Sequence, residues 1–418
     1  MGSIRATGYK RSSPTMVTAA DRISNACGRV QAMPPLRRAL LAREALIASA
    51  GKAMSFGPRE ARLRTILAWT GRGGMVTSSL ILLASRYLAG RKAAQDHKLP
   101  HAIFVGIGAL REYQLRKSVT TQLGQTPRFI DQRTPDGLGV LTAPSPRRIM
   151  SQWIRFMREA LSILSETDPD FAKMDLLSTL TMRIHELAYL LALFESLYEI
   201  HPETRVYCST ADIPAHAACL AGFRVEYWQH GFLARTLVFP RFSAMVALTA
   251  YEGRYVADRV PGLALALGAP CTERAPVTET FAFAGDYQAP DPVPVTTIAN
   301  LALARGFLVV VRPHPNGFDE LWSEIRGQEG VVFDTEGRFE DFLEKWRPAF
   351  LVSWFSTTLL DGLRAGAVPI ALARSTDRLV LPIEEIALSW PEDAPQIETC
   401  MRDASERHKV HNRINNAL

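Results

Sequence analysis

Residues 307–315 read Phe-Leu-Val-Val-Val-Arg-Pro-His-Pro. An uninterrupted apolar run rich in β-branched residues predicts a strand buried on both faces. Pro313 and Pro315 end it in a stiff turn, leaving Arg312 and His314 at its C-terminal end. The same rhythm continues downstream. A helix is expected over 318–326, a strand over 331–333, a helix over 339–345, a strand over 350–353, a helix over 356–365 and a strand over 368–371. Upstream, strands are expected over 101–107, 128–131, 205–208, 224–228 and 242–248. Helices are expected over 112–123, over 147–200 with a break at 167–170, and over 213–221. Strands that alternate with helices in this way build parallel sheets with crossover helices. The fold class is therefore α/β, with two Rossmann-like parallel-sheet domains facing a cleft. Such sheets bind ligands at the carboxyl ends of their strands.

Residues 285–296 are polar and Pro-rich and read as the linker between the domains. The division is then a basic N-terminal extension (1–100), a first Rossmann-like domain with a helical insert (101–284), the linker (285–296) and a second Rossmann-like domain (297–390). A C-terminal helix (391–418) is expected to cross back. Residues 1–35 show little periodicity and are expected to be disordered or loosely structured, whereas 36–93 show helical spacing. The first 100 residues carry 17 Lys/Arg against 4 Asp/Glu, which leaves −7 on the rest of a chain whose net charge is +6. Such a basic quarter suggests an anionic partner, an anionic membrane surface ahead of nucleic acid, or else a solvated leader.

With 418 residues, 47% hydrophobic and 22% charged, the chain is an ordinary globular one of about two to three domains. Its longest uncharged runs, such as 73–85, are about 13 residues. A spanning helix needs roughly 20 apolar residues, so none is expected. No apolar run follows the charged N-terminus, so no secretory signal is expected either. Cys27, Cys208, Cys219, Cys271 and Cys400 lie far apart, without zinc-ligand spacing, as suits a reducing cytosol. No metal or cofactor is expected. His408 and His411 read as a solvated pair.

Three constellations carry chemistry. In Tyr227-Trp228-Gln229-His230-Gly231-Phe232 a strand ends at a histidine beside a turn glycine. An imidazole titrating near neutrality is suited to take a proton from a hydroxyl. At Arg312-Pro313-His314-Pro315 a guanidinium and an imidazole at a strand end are suited to a phosphate. In Ser353-Trp354-Phe355-Ser356-Thr357-Thr358 a strand opens into a helix through hydroxyls. Ser356 is the N-cap candidate, and a helix start with free N–H groups attracts anions. Weaker signals are Gly106-Ile107-Gly108, Asp136 in Pro135-Asp136-Gly137 as an alternative base, and Glu384 and Glu385 as ribose ligands.

The three motifs, in this order, resemble those of bacterial GT-B glycosyltransferases of surface-polysaccharide synthesis. The stretch from Asp212-Ile213-Pro214 to Gln229-His230-Gly231 is similar to the end of their first domain. Arg312-Pro313-His314-Pro315 is similar to the histidine–proline motif of sialyltransferases, Kdo transferases and CDP-glycerol polymerases. The turn from Ser353 to Thr358 resembles their Ser/Thr phosphate motif. The resemblance spans residues 200–372. It implies a GT-B fold and donor-phosphate binding by His314, Ser356 and Thr357, with Arg312, Ser353 and Thr358 beside them. His230 stands where sialyltransferases carry a carboxylate base.

The expected activity is inverting, metal-independent transfer of a sugar from a CMP- or NDP-linked donor to a hydroxyl of a surface glycan or lipid-linked acceptor. The enzyme would be cytoplasmic, peripheral at the membrane. His230 would be the base, and His314 would steady the leaving phosphate. The alternatives are glycerophosphate transfer from CDP-glycerol, sugar-nucleotide 2-epimerisation, and a non-catalytic binder of nucleotide sugars or polyanions.

Overall fold

The computed structural model describes residues 19–50, 58–93, 101–106, 110–124, 126–131, 144–166, 176–229, 231, 233, 237–267, 278–285, 293–314, 319–354, 356–372 and 386–417. The first lobe begins with three helices: α1 (Ala19–Ala32), α2 (Pro35–Ala50) and α3 (Pro58–Ala93). Gly71 breaks α3 with φ 56 and ψ −141. Then follow β1 (Ala102–Gly106), α4 (Leu110–Leu123), β2 (Arg128–Asp131), α5 (Pro146–Ser165), α6 (Leu176–Ile200) and β3 (Arg205–Cys208). The lobe continues with α7 (Ile213–Leu220), β4 (Val225–Trp228), β5 (Ala244–Ala247), α8 (Ala250–Ala257) and β6 (Ala264–Leu267). Its six strands are all parallel, in the order β2-β1-β3-β4-β5-β6.

Helix α6 is the pillar of this lobe. Residues 187–194 are all buried, so it is apolar all round and must be covered on every side. Helices α2, α3, α5 and α7 do this. The helix starts follow capping rules: Ser145 Oγ accepts from Arg148 N–H (3.3 Å) at α5, and Asp212 Oδ1 accepts from Ile213 N–H (2.7 Å) at α7.

The N-terminal helices are part of this core, not an extension of it. Val30, Ala39, Leu40 and Met75 are 0% exposed within the first-lobe cluster. Gln31 donates to the carbonyls of Phe239 and Arg259 (3.1 Å each) and accepts from Phe239 N–H (2.7 Å). The buried Arg183 of α6 donates to Ala39 O (2.9 Å), and Trp153 Nε1 donates to Ser79 Oγ (3.1 Å). Residues 19–32, expected to be disordered or loosely structured, are helical for this reason.

The second lobe holds β7 (Thr280–Ala284), α9 (Val293–Ala304), β8 (Leu308–Arg312), β9 (Val331–Phe333), α10 (Phe339–Trp346) and β10 (Phe350–Ser353). It ends with α11 (Thr358–Arg364), β11 (Val368–Ala371), β12 (Leu388–Ser389), α12 (Ala394–Arg402) and α13 (Ala404–Ala417). The helix expected over 318–326 is only a 3-10 turn, Asp319–Trp322. The strands are parallel, in the order β12-β11-β10-β7-β8-β9.

Two further boundaries differ from the sequence reading. β7 is a central strand of the second sheet, so that lobe starts before residue 284, and residue 293 already opens α9. Where the sequence reading has a C-terminal helix crossing back, the described residues of the C-terminal helices pack on the second core through Ile397, Val410 and Ile414. His411, expected to be solvated, is buried, and its Nε2–H donates to Leu363 O (2.9 Å).

Candidate active site

Read from β9, the second sheet runs third, second, first, fourth, fifth, sixth strand of its lobe. This is the doubly wound dinucleotide-binding order, whose winding reverses between the first and fourth strands, here β7 and β10. Crossovers leave in opposite directions from that pair, so a crevice opens at its carboxyl end. The first sheet, β2-β1-β3-β4-β5-β6, reverses between β1 and β3.

The second reversal point is built from the strand ends that carry the motifs. Ser353 closes β10, is 0% exposed, and its Oγ donates to Ala284 O at the end of β7 (2.9 Å). The expected phosphate ligand Ser353 is therefore a clasp between the two diverging strands. Gly285 follows, its N–H donating to Arg312 O (2.8 Å). A Cβ on Gly285 would lie 2.6 Å from His314 N and 3.2 Å from Pro313 Cα. Only glycine lets the β7 exit lie against the Pro313-His314 backbone. His314, itself part-buried, is thus held beside the reversal point.

The hydroxyl turn after β10 sits on the same edge. Ser356 Oγ accepts from Thr358 N–H (3.3 Å), while Thr357 is the N-cap residue and makes no side-chain cap bond. Ser356 therefore braces the turn one residue ahead of its expected capping place. Thr358 Oγ1 is shielded from solvent and has no partner among the described residues. Helix α11 is pressed onto β10: a Cβ on Gly362 would lie 2.4 Å from Leu351 Cδ2.

Arg312, expected on the phosphate, is engaged elsewhere. Its guanidinium donates to the carbonyls of Asp334 (3.3 Å), Glu336 and Gly337 in the β9–α10 turn. Asp334 is anchored there by Lys345 Nζ (2.8 Å) and Trp346 Nε1 (2.7 Å), and the Lys345 bond is the main cause that holds its carboxyl below the usual range. Arg312 is a brace for the strand end that carries His314.

In the first lobe, the end of β4 is pinned on both sides of residue 230. Gln229 is 1% exposed; its Oε1 accepts from Leu248 N–H (3.0 Å), and its Nε2 donates to Gly231 O (2.9 Å). Glu252, at 0% exposure, accepts from Leu233 N–H (2.8 Å) and from Thr249 Oγ1 (3.1 Å). Thr249 Oγ1 in turn accepts from Glu252 N–H (3.1 Å) and caps α8. Sequence reasoning missed Glu252, although a threonine and a glutamate three residues apart, Thr249 and Glu252, are the capping-box signature. His230, Asp136, Glu384 and Glu385 lie outside the described residues.

The buried histidines of this lobe are not acid–base candidates. Burial, helped by Arg183, pushes His216 down to about 3, and burial pushes His185 down to about 4. Both are neutral near pH 7 and bonded to carbonyls, His216 to Val238 O (3.2 Å) and His185 to Thr181 O (3.2 Å). Among the described residues no group of three or more His, Cys, Asp or Glu could hold a metal ion, and no helix is long and apolar enough to cross a membrane.

No family model matches the chain, and no curated protein matches it. Among solved structures it is similar to the glycosyltransferase SnogD from Streptomyces nogalater, at 14% identity over 76% of this chain and 94% of that one, with a TM-score of 0.43. It is similar to UDP-GlcNAc 2-epimerase from Neisseria meningitidis bound to UDP-GlcNAc, at 10% identity over 76% and 96%, with a TM-score of 0.44. It is also similar to Acinetobacter baumannii MurG, at 10% identity over 76% and 95%, with a TM-score of 0.41. Likeness at this level adds nothing to what the two sheet topologies already say.

Proposed function

We propose that this protein is a GT-B glycosyltransferase that moves a sugar from a nucleotide-activated donor to a hydroxyl of a glycan or lipid-linked acceptor, with inversion. The observation that carries the reading is the second-lobe reversal point. Gly285 lies against the backbone of His314, and the Ser356–Thr358 turn leaves the neighbouring strand β10, on the edge where such a topology binds nucleotides.

In this reading the diphosphate or phosphate of the donor sits over Gly285 and takes the hydroxyl of Thr358, which is otherwise partnerless among the described residues. His314 steadies the charge that develops on the leaving phosphate, and Arg312 holds the turn that presents it. His230 accepts the proton of the acceptor hydroxyl. The oxygen attacks the anomeric carbon, the bond from that carbon to the phosphate oxygen breaks, and its electron pair leaves with the phosphate. Closure of the lobes brings base and donor together and excludes water.

The test is thermal stabilisation and transfer with UDP-, GDP-, CMP- and CDP-linked donors. At least one should stabilise the protein. His314→Ala should weaken binding and turnover together. His230→Ala should keep binding and lose turnover by about 10²–10⁴-fold. Stabilisation by none of the nucleotides would overturn the reading. Phosphate carried into the product would redirect it to glycerophosphate transfer.

A further inference from the structure

The first lobe has a depression of about 680 Å³ on the edge opposite its reversal point. It lies between the first turns of α5, the last turns of α6 and Ala221 at the end of α7. Helices α6 and α7 lead into the starts of β3 and β4, so the depression is a strand length from the carboxyl ends that carry Gln229. It shares no residue with the site described above.

Its chemistry is polar and balanced. Arg147 and Arg148 face Glu195 and Glu199, so the formal charge of the lining is zero. Arg148 Nη2 donates to both oxygens of Glu199 (2.7 Å each), and its Nη1 donates to Ser196 Oγ (2.8 Å). Gln152 donates to both oxygens of Glu195 (2.9 and 2.8 Å). A carboxylate accepts about four hydrogen bonds and a guanidinium donates five, so both kinds retain capacity toward a ligand. An anion would meet two carboxylates and a cation two guanidiniums, whereas hydroxyls donate to the one and accept from the other.

Tyr198 adds an apolar plate. The residue is 36% exposed, and its ring stands edge-on to Phe223, centroids 5.1 Å apart at 88°. A Cβ on Gly222, which has φ +100, would lie 3.3 Å from that ring. The ring is thus backed on its inner side and open on its outer side. Alternating donors and acceptors beside a fixed aromatic ring suit a molecule with a hydroxylated rim and an apolar C–H face.

We infer that this depression is a carbohydrate site, one that holds a neutral oligosaccharide on the edge opposite the carboxyl ends of the strands. It goes beyond the donor reading and does not depend on it. The test is saturation-transfer NMR on the full chain with maltotetraose, cellotetraose and tetra-N-acetylchitotetraose, and with a hyaluronan tetrasaccharide as the anionic counterpart. At least one neutral tetrasaccharide should bind, with saturation strongest on ring C–H protons, and added UDP should leave it bound. Ser151→Trp, which fills the depression from an exposed position, and Tyr198→Ala should each weaken binding by about tenfold or more. Absence of binding by every neutral tetrasaccharide, retention in Ser151→Trp, equal binding of hyaluronan, or displacement by UDP would each overturn the inference. Loss of nucleotide binding with oligosaccharide binding intact would count against the donor reading alone.

Discussion

At Gly285 one methyl group decides whether the β7 exit can lie against Pro313 and His314, because the added Cβ would sit 2.6 Å from a backbone nitrogen. Gly285→Ala should cost about 1–3 kcal/mol, as overpacking does, and weaken nucleotide binding. Unchanged binding in a titration with UDP would remove the reversal point as the donor site. Thr358 separates stability from function in the opposite sense. A buried hydroxyl without a partner is destabilising, so Thr358→Val should melt no lower than wild type, yet bind nucleotide less tightly. His216 and His185 set an acid limit. Their folded values, about 3 and about 4, lie below the unfolded value of 6.5. Between those limits the unfolded chain binds more protons, so stability rises with pH across the window and is lost as pH falls from 6.5 toward 4. Each histidine contributes a slope of up to about 1.4 kcal/mol per pH unit. His216→Gln keeps a donor for Val238 O and should flatten the fall of Tm between pH 6.5 and 4.5; an unchanged slope would exclude His216 as its source.

Element by element, the parallel strands were legible because both of their faces are covered. Residues 102–106 and 350–352 are buried throughout and read as unbroken apolar runs. The equally buried strand 280–284 was missed, because it opens on a threonine and is flanked by loop-forming residues. The domain boundary was not legible, since Pro, Gly and polar residues mark any backbone that leaves regular structure. In 285–296 they follow a central strand at a reversal point rather than joining two lobes. The short 3-10 turn at 319–322 shows the same limit: Trp322 and Ile325 give a helical spacing, but Gly327 and Gly330, both at positive φ, end it within two turns. The candidate site was legible as residue types at strand ends, while the partners of Arg312 and Ser353 required the fold. So did the clamp on the 229–233 loop. Gln229→Met would leave Gly231 O and Leu248 N–H without their partner and should cost about 1–3 kcal/mol for each buried group. Its distinguishing effect is on transfer: turnover should fall while nucleotide binding stays near wild type. A parallel loss of nucleotide affinity would show that the clamp serves the fold and not the loop.

For the whole molecule, the charge asymmetry has a partly internal cause. Arg37 pairs with Glu159 and with Glu166 (2.6 Å), Arg86 pairs with Glu186 (3.2 Å), and Arg72 donates to Leu164 O (2.9 Å). Arg38, 8% exposed, donates to Met33 O (3.0 Å) and Phe239 O (3.4 Å). Arginines of the N-terminal helices paired with single carboxylates of the helices beneath them account for part of a pattern that composition alone assigns to an outside partner. The same contacts decide what the N-terminal quarter does for stability. A solvated leader can be removed at little cost, whereas a layer that covers α6 cannot. Leu40, at 0% exposure, lies in the first-lobe core, so Leu40→Ala should cost about 2–5 kcal/mol. Deletion of residues 1–57 removes Gln31, Arg38 and Leu40 together and uncovers apolar flanks of α6, so the truncated chain should lose its cooperative thermal transition. A truncated protein that melts as sharply and as high as the full chain would return this segment to the role of an appendage, and its arginines to an external anion.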